Sequence, residues 1–188
     1  MTEANGGMRN EIVKQIAEAR RGAGVRVFLA APMSGFDSDT EYKEHRLIVN
    51  ETCERLEQGI VESVYFAGRD ISSKSDFTKE SDAFRSDFNA LLNCDLFVLY
   101  YPKPVRSSVL VEAGMAIGSR KPCLFVAPHA DDLVYLLRNA EEASGTSGIP
   151  PIAIREFGAE APSAKRLTDF IVETLQLFEI QHREYSCA

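Results

Sequence analysis

The chain has 188 residues, a formal net charge of −7 and 45% hydrophobic residues. That length suits one domain with a sizeable core, and the composition excludes a disordered chain. The acidic balance argues against wide nucleic-acid contact, and no apolar run nears the roughly 20 residues that span a bilayer.

Residues 1–24 read as an N-terminal extension, with a disordered start and a helix over 8–21 that carries Ile12, Val13 and Ile16 on one side. Gly22 and Gly24 end it. The start lacks the charged-then-apolar order of a secretion signal, so a cytoplasmic protein is expected. Residues 25–188 read as a single domain.

The run VRVFLAAP (25–32) predicts a strand buried on both faces. After the loop MSGFDSD (33–39), a helix is predicted over about 40–58, with Ile48, Thr52, Cys53, Leu56 and Ile60 inward. VESVYFAG (61–68) is the second strand, and a polar stretch (69–82) follows as a candidate specificity loop. A helix over about 79–93 carries the stripe Phe84, Phe88, Leu91 and Leu92, with Asp87 falling within it. DLFVLYY (95–101) is the third strand, followed by a helix over about 108–119. CLFVAP (123–128) is the fourth strand, DDLVYLLRNA a short helix and PIAIREF (151–157) the fifth strand. A last helix places Leu167, Phe170, Ile171, Thr174, Leu175 and Phe178 at helical spacing.

Strands alternate with amphipathic helices five times. The pattern predicts an α/β fold: a doubly wound, five-stranded parallel sheet in three layers. Ligands bind such sheets at the carboxyl ends of the strands, near the switch in strand order. The loops at 31–39, 67–82, 101–108 and 127–131 are therefore the candidate site.

Glu112 is the strongest chemical signal. It is the one charged residue in SSVLVEAGMAIGS, a helix apolar nearly all round and so expected to be buried. A buried carboxylate is costly unless paired or used. A capping box needs the acid three residues after the cap, and Glu112 lies four after Ser108. Asp87 is the second signal, the competing reading being a rim residue paired with Arg85 or Lys79.

Arg106, Ser107 and Ser108 stand before this helix, where free N–H groups and a guanidinium suit an anion. Ala31, Pro32, Met33, Ser34 and Gly35 after strand one, and Arg69 after strand two, complete the candidate substrate-binding set. G-x-G-x-x-G and Walker-type motifs are absent. His45, His129 and His182 form no metal pattern and read as surface or loop residues. The four cysteines form no C-x-x-C pair, so neither disulfides nor zinc are expected, and three read as small core residues. No cofactor and no metal are expected.

FLAAPMSG, RSDFNALLNCDLFVLYY and SSVLVEAGMAIGSRKPCLFV, over roughly residues 25–127, together resemble the nucleoside 2-deoxyribosyltransferase superfamily. That superfamily includes base-exchanging transferases and deoxynucleoside 5′-monophosphate N-glycosidases. The resemblance implies a flavodoxin-like, Rossmann-like sheet and homodimers or higher homo-oligomers. It makes Glu112 the nucleophile and Asp87 the acid that handles the departing base, with a glycosyl-glutamate intermediate. An aromatic hydroxyl near strand one is also implied, with Tyr42 and Tyr65 as candidates. The transferases carry an aspartate six residues before the nucleophile. Here that position is Arg106, which favours hydrolysis of a phosphorylated substrate. The alternatives are an NAD-cleaving enzyme of Toll/interleukin-receptor type and a nucleotide-sensing module without catalysis.

Overall fold

A computed structural model describes residues 24–69, 80–146 and 148–185. The helix expected over 8–21 and most of the polar stretch 69–82 lie outside these residues. Five strands, β1 (Arg26–Ala30), β2 (Ser63–Tyr65), β3 (Leu96–Tyr100), β4 (Cys123–Ala127) and β5 (Ile152–Glu156), pair in parallel in the order β2-β1-β3-β4-β5. Helices α1 (Asp39–Glu57), α2 (Glu80–Asn93), α3 (Val109–Gly118) and α4 (Ala164–Tyr185) connect or follow them. The expected three-layer, doubly wound fold is what forms. Its strand order is the flavodoxin-like one.

Side chains alternate across each strand, and the two faces build two cores. Val27, Leu29, Leu96, Val98 and Tyr100 meet Val49, Cys53 and Leu56 of α1 and Leu167, Ile171 and Phe178 of α4. Phe28, Ala30, Phe97 and Leu99 meet Leu91 of α2 and Val109, Ala113 and Ala116 of α3. The central strands are buried on both sides, which explains why they read as continuous apolar runs rather than alternating ones. Cys53, Cys94 and Cys123 are buried free thiols, and burial pushes the Cys53 and Cys94 thiols up to about 11. No described helix is long and apolar enough to cross a membrane.

Three expectations about the helices need correction. The segment 131–140 is not a helix. A short 3-10 helix at Ala130–Asp132 is closed by reciprocal bonds between His129 and Asp132, and i→i+3 turns follow, such as Leu137 N–H to the Val134 carbonyl. These turns bury Leu133 and Leu137 while leaving Tyr135 and Leu136 more than four-fifths exposed. On α2, Leu91 is buried, but Phe84, Phe88 and Leu92 face outward. Asp87, one helical turn before Leu91, thus belongs to the inward face and not to an apolar stripe. Phe84 and Phe88 stack on each other with ring centroids 6.0 Å apart. Finally, α3 is buried along one face only: Val111 is 62% exposed and Gly114 and Gly118 are open. Periodicity reveals an apolar stripe but not what covers it.

His45 is likewise no surface residue. It is 6% exposed, packed between Phe36 (4.6 Å) and Tyr100 (5.3 Å). Neither ring nitrogen makes a hydrogen bond. Burial outweighs the nearby Pro32 carbonyl and pushes its pKa down to about 4, so the ring is neutral at physiological pH.

Candidate active site

The chain winds outward from β1 in both directions, so the loops after β1 and β3 diverge and leave a crevice at the carboxyl ends of those strands. A pocket of about 250 Å³ occupies it. Met33 and Ser34 line it from the loop after β1, and Arg106, Ser107 and Ser108 from the loop after β3. Glu112, on the first turn of α3, lines it as well.

The two loops are tied together. Lys103 Nζ donates to Asp37 Oδ2 (3.0 Å), pairs with Glu41 Oε1 (2.8 Å) and lies over the Phe36 ring. The Tyr101 hydroxyl donates to the Val105 carbonyl (2.6 Å) and accepts from its N–H (2.9 Å), which braces the loop before α3. Gly35 has φ +87°, and a Cβ there would lie 2.9 Å from Val105 Cβ. Gly35→Ala therefore combines an unfavourable left-handed backbone with a clash between the two loops. It should destabilise the protein by about 1–3 kcal/mol, read as a lower midpoint in urea.

Glu112 is half-buried, and its environment is unusual for a carboxylate. Burial first, then the charge of Asp87, push its pKa up to about 7; the Ser108 hydroxyl acts in the opposite sense. Ser108 makes no capping bond and its backbone is already helical, so Glu112 is not part of a capping box. The Ser107 hydroxyl instead faces the Val109 N–H at 3.5 Å. Arg106 is exposed and forms no ion pair among the described residues.

Asp87 accepts a 2.7 Å hydrogen bond on Oδ1 from the Tyr65 hydroxyl. It is not paired with Arg85, which reaches toward Asp82 at 4.0 Å, and Lys79 lies outside the described residues. Of the two candidate tyrosines, Tyr42 packs on Phe36, whereas Tyr65 at the end of β2 bonds Asp87; neither Tyr65 nor Asp87 is among the residues that line the pocket.

Of the expected binding residues, Ala31, Met33, Ser34, Arg106, Ser107 and Ser108 line the pocket. Pro32, Gly35 and Arg69 do not. Pro32 is buried, with its carbonyl near His45. The Arg69 guanidinium grips Glu57 at two points, 2.9 and 2.7 Å, and holds that carboxyl below the usual range. Phe28, Leu29, Ala30, Phe66 and Val109 line the pocket outside the expected loops, and Ala67 lines it from within the expected loop 67–82. Phe66 and Ala67 directly follow β2, so the carboxyl-end rule held a usable signal for them. No cluster of three or more His, Cys, Asp or Glu that could hold a metal occurs among the described residues.

These features define a Rossmann-like α/β protein with a carboxylate-bearing pocket at its switch point. No family model and no curated protein matches the sequence. Solved structures do resemble it. The solution structure of BlsM aligns with TM-score 0.61 at 16% identity, over 85% of this chain and 96% of that one. The CMP N-glycosidase BcmB of Clostridium botulinum aligns at 0.49 and 18% identity, over 81% and 98%. A conserved protein of Enterococcus faecalis V583 aligns at 0.48 and 15% identity, over 80% and 99%. The likeness to BlsM shows a shared fold.

Proposed function

We propose that the protein cleaves the N-glycosidic bond of a nucleotide or nucleoside through a covalent glycosyl-Glu112 intermediate. One observation carries this reading: a half-buried carboxylate in a switch-point pocket, pushed up to about 7 by burial and by a second carboxylate. The sequence resemblance supports the same roles.

In this reading the ionised Glu112 attacks the anomeric carbon. A C–O bond forms as the C–N bond breaks, and the electron pair leaves with the base nitrogen, which takes a proton from Asp87. Water, giving a proton back to the Asp87 carboxylate, then attacks the same carbon as the ester C–O bond breaks and frees ionised Glu112, the logic of a retaining glycosidase. At neutral pH the Glu112 environment favours retaining a proton. Catalysis needs the pair to hold one proton on Asp87 rather than on Glu112.

Arg106, Ser107 and Ser108 line the pocket beside the start of α3, which supports a phosphate-holding role for them. Arg106→Ala should raise KM for nucleoside monophosphates about tenfold to a hundredfold and leave free nucleosides nearly unaffected, as measured by initial rates on both. Equal effects on the two substrates would remove the phosphate role.

The decisive experiment is a chromatographic screen for released base using nucleosides, their monophosphates and NAD. Free base from a nucleoside or monophosphate supports the reading. Nicotinamide release from NAD alone points to the NAD-cleaving class instead. Release from none of them overturns the enzyme assignment.

A further inference from the structure

Tyr65 stands at the carboxyl end of β2, and the parallel register sets it beside Phe28 of β1, a pocket-lining residue. The two rings pack at 5.1 Å. This contact fixes the phenol, and the hydroxyl then reaches Asp87 Oδ1 at 2.7 Å across to α2. The bond joins a strand to a helix 22 residues further along the chain. It lies partly buried, where a charge-assisted hydrogen bond is stronger than at the surface.

We propose that Tyr65 is a positioning residue for the acid step: by occupying Asp87 Oδ1 as a donor, it leaves Oδ2 as the oxygen that carries and delivers the proton. The inference rests on the glycosidase reading and deepens it. Two features support it. Burial and the charges of Asp87 and Glu112 hold the Tyr65 phenol above its ordinary range, so it remains a donor throughout the physiological pH range. A carboxyl oxygen that accepts from a phenol cannot also point its own proton at that phenol. A carboxyl group free to rotate would present either oxygen to the leaving base. The tyrosine removes that freedom, and near-attack geometry of this kind is a recognised source of rate.

Tyr65→Phe keeps the ring on Phe28 and deletes only the hydroxyl. It should lower kcat roughly tenfold to a hundredfold on a substrate with an ordinary base, the effect of losing one hydrogen bond to a charged group, with KM nearly unchanged. On a 2-deoxyribosyl or ribosyl p-nitrophenolate, whose leaving group departs without a proton, the defect should nearly vanish. Combined with Asp87→Asn, it should add little further loss, since both act on one step. A merely structural role would slow both substrates alike and multiply with Asp87→Asn; either result overturns the proposal. If the wild type cleaves neither substrate, the glycosidase reading fails, and the pairing is judged separately. In that case the Asp87 side-chain carboxyl signal in the carbon NMR spectrum should shift in Tyr65→Phe. An unmoved signal overturns the Tyr65 assignment on its own.

Discussion

Glu112→Gln is expected to lower base release by about 10³-fold or more while making the protein more stable at and above neutral pH. The loss follows from the nucleophile: an amide cannot form the glycosyl ester, and no other described carboxylate lines the pocket. The gain follows from linkage. The carboxyl takes up a proton at about 7 when folded, against an ordinary value of 4.5. Between those values the folded protein binds more protons than the unfolded chain. Glu112 therefore adds no penalty below pH 4.5, and stability is lost as pH rises through 7. The full shift corresponds to about 3 kcal/mol, an upper figure because Glu112 is only half-buried. Glutamine removes the charge and with it the penalty. Melting curves should show wild type and variant coinciding near pH 4 and the variant about 5 °C higher at pH 8. A variant less stable than wild type at pH 8 would contradict the buried-charge account. A variant that keeps its activity would remove Glu112 from the chemistry.

Asp87→Asn should reduce base release by about 10²- to 10⁴-fold, the span of one general acid. It should also move the pH profile in a stated direction. Because the Asp87 charge raises the Glu112 pKa, removing it eases ionisation of Glu112. The wild-type pair loses its last proton near pH 7, so its kcat/KM should fall above that pH; in the variant that falling limb should disappear, leaving a rising limb for Glu112 ionisation displaced below pH 7. The Ser108 hydroxyl, which favours the ionised form, remains in place and assists the shift. An unshifted limb would mean that Asp87 does not act on Glu112 electrostatically, whatever its effect on rate.

The fold was legible because its signals are local. Buried parallel strands need short apolar runs, so 95–101 and 123–128 stood out within a residue or two of β3 and β4. Inward residues on α1 were equally plain: Thr52, Cys53 and Leu56 are buried as their spacing predicts. Segment 131–140 misled because its leucines have helical spacing, while i→i+3 turns satisfy its backbone as well. The stripe on α2 misled for a different reason. Phe84, Phe88 and Leu92 are spaced like core residues, but no described element covers them.

For the site, sequence alone marked Glu112, a single charge inside an apolar helix, and it marked the loops that converge on the pocket. The meaning of Asp87 was not decided there, since a rim ion pair with Arg85 fitted equally well. Tertiary structure gave it a different partner, by placing β2 beside β1 in a register that sets Tyr65 against Phe28 with its hydroxyl 2.7 Å from Asp87. It also assigned the two arginines differently: Arg69 is committed to Glu57, while Arg106 stands at the pocket. Apolar periodicity and lone charges are properties of a few neighbouring residues, so the chain displays them directly. The raised pKa of Glu112 and the partner of Asp87 depend on groups brought together from distant segments, and only the packed sheet sets those distances.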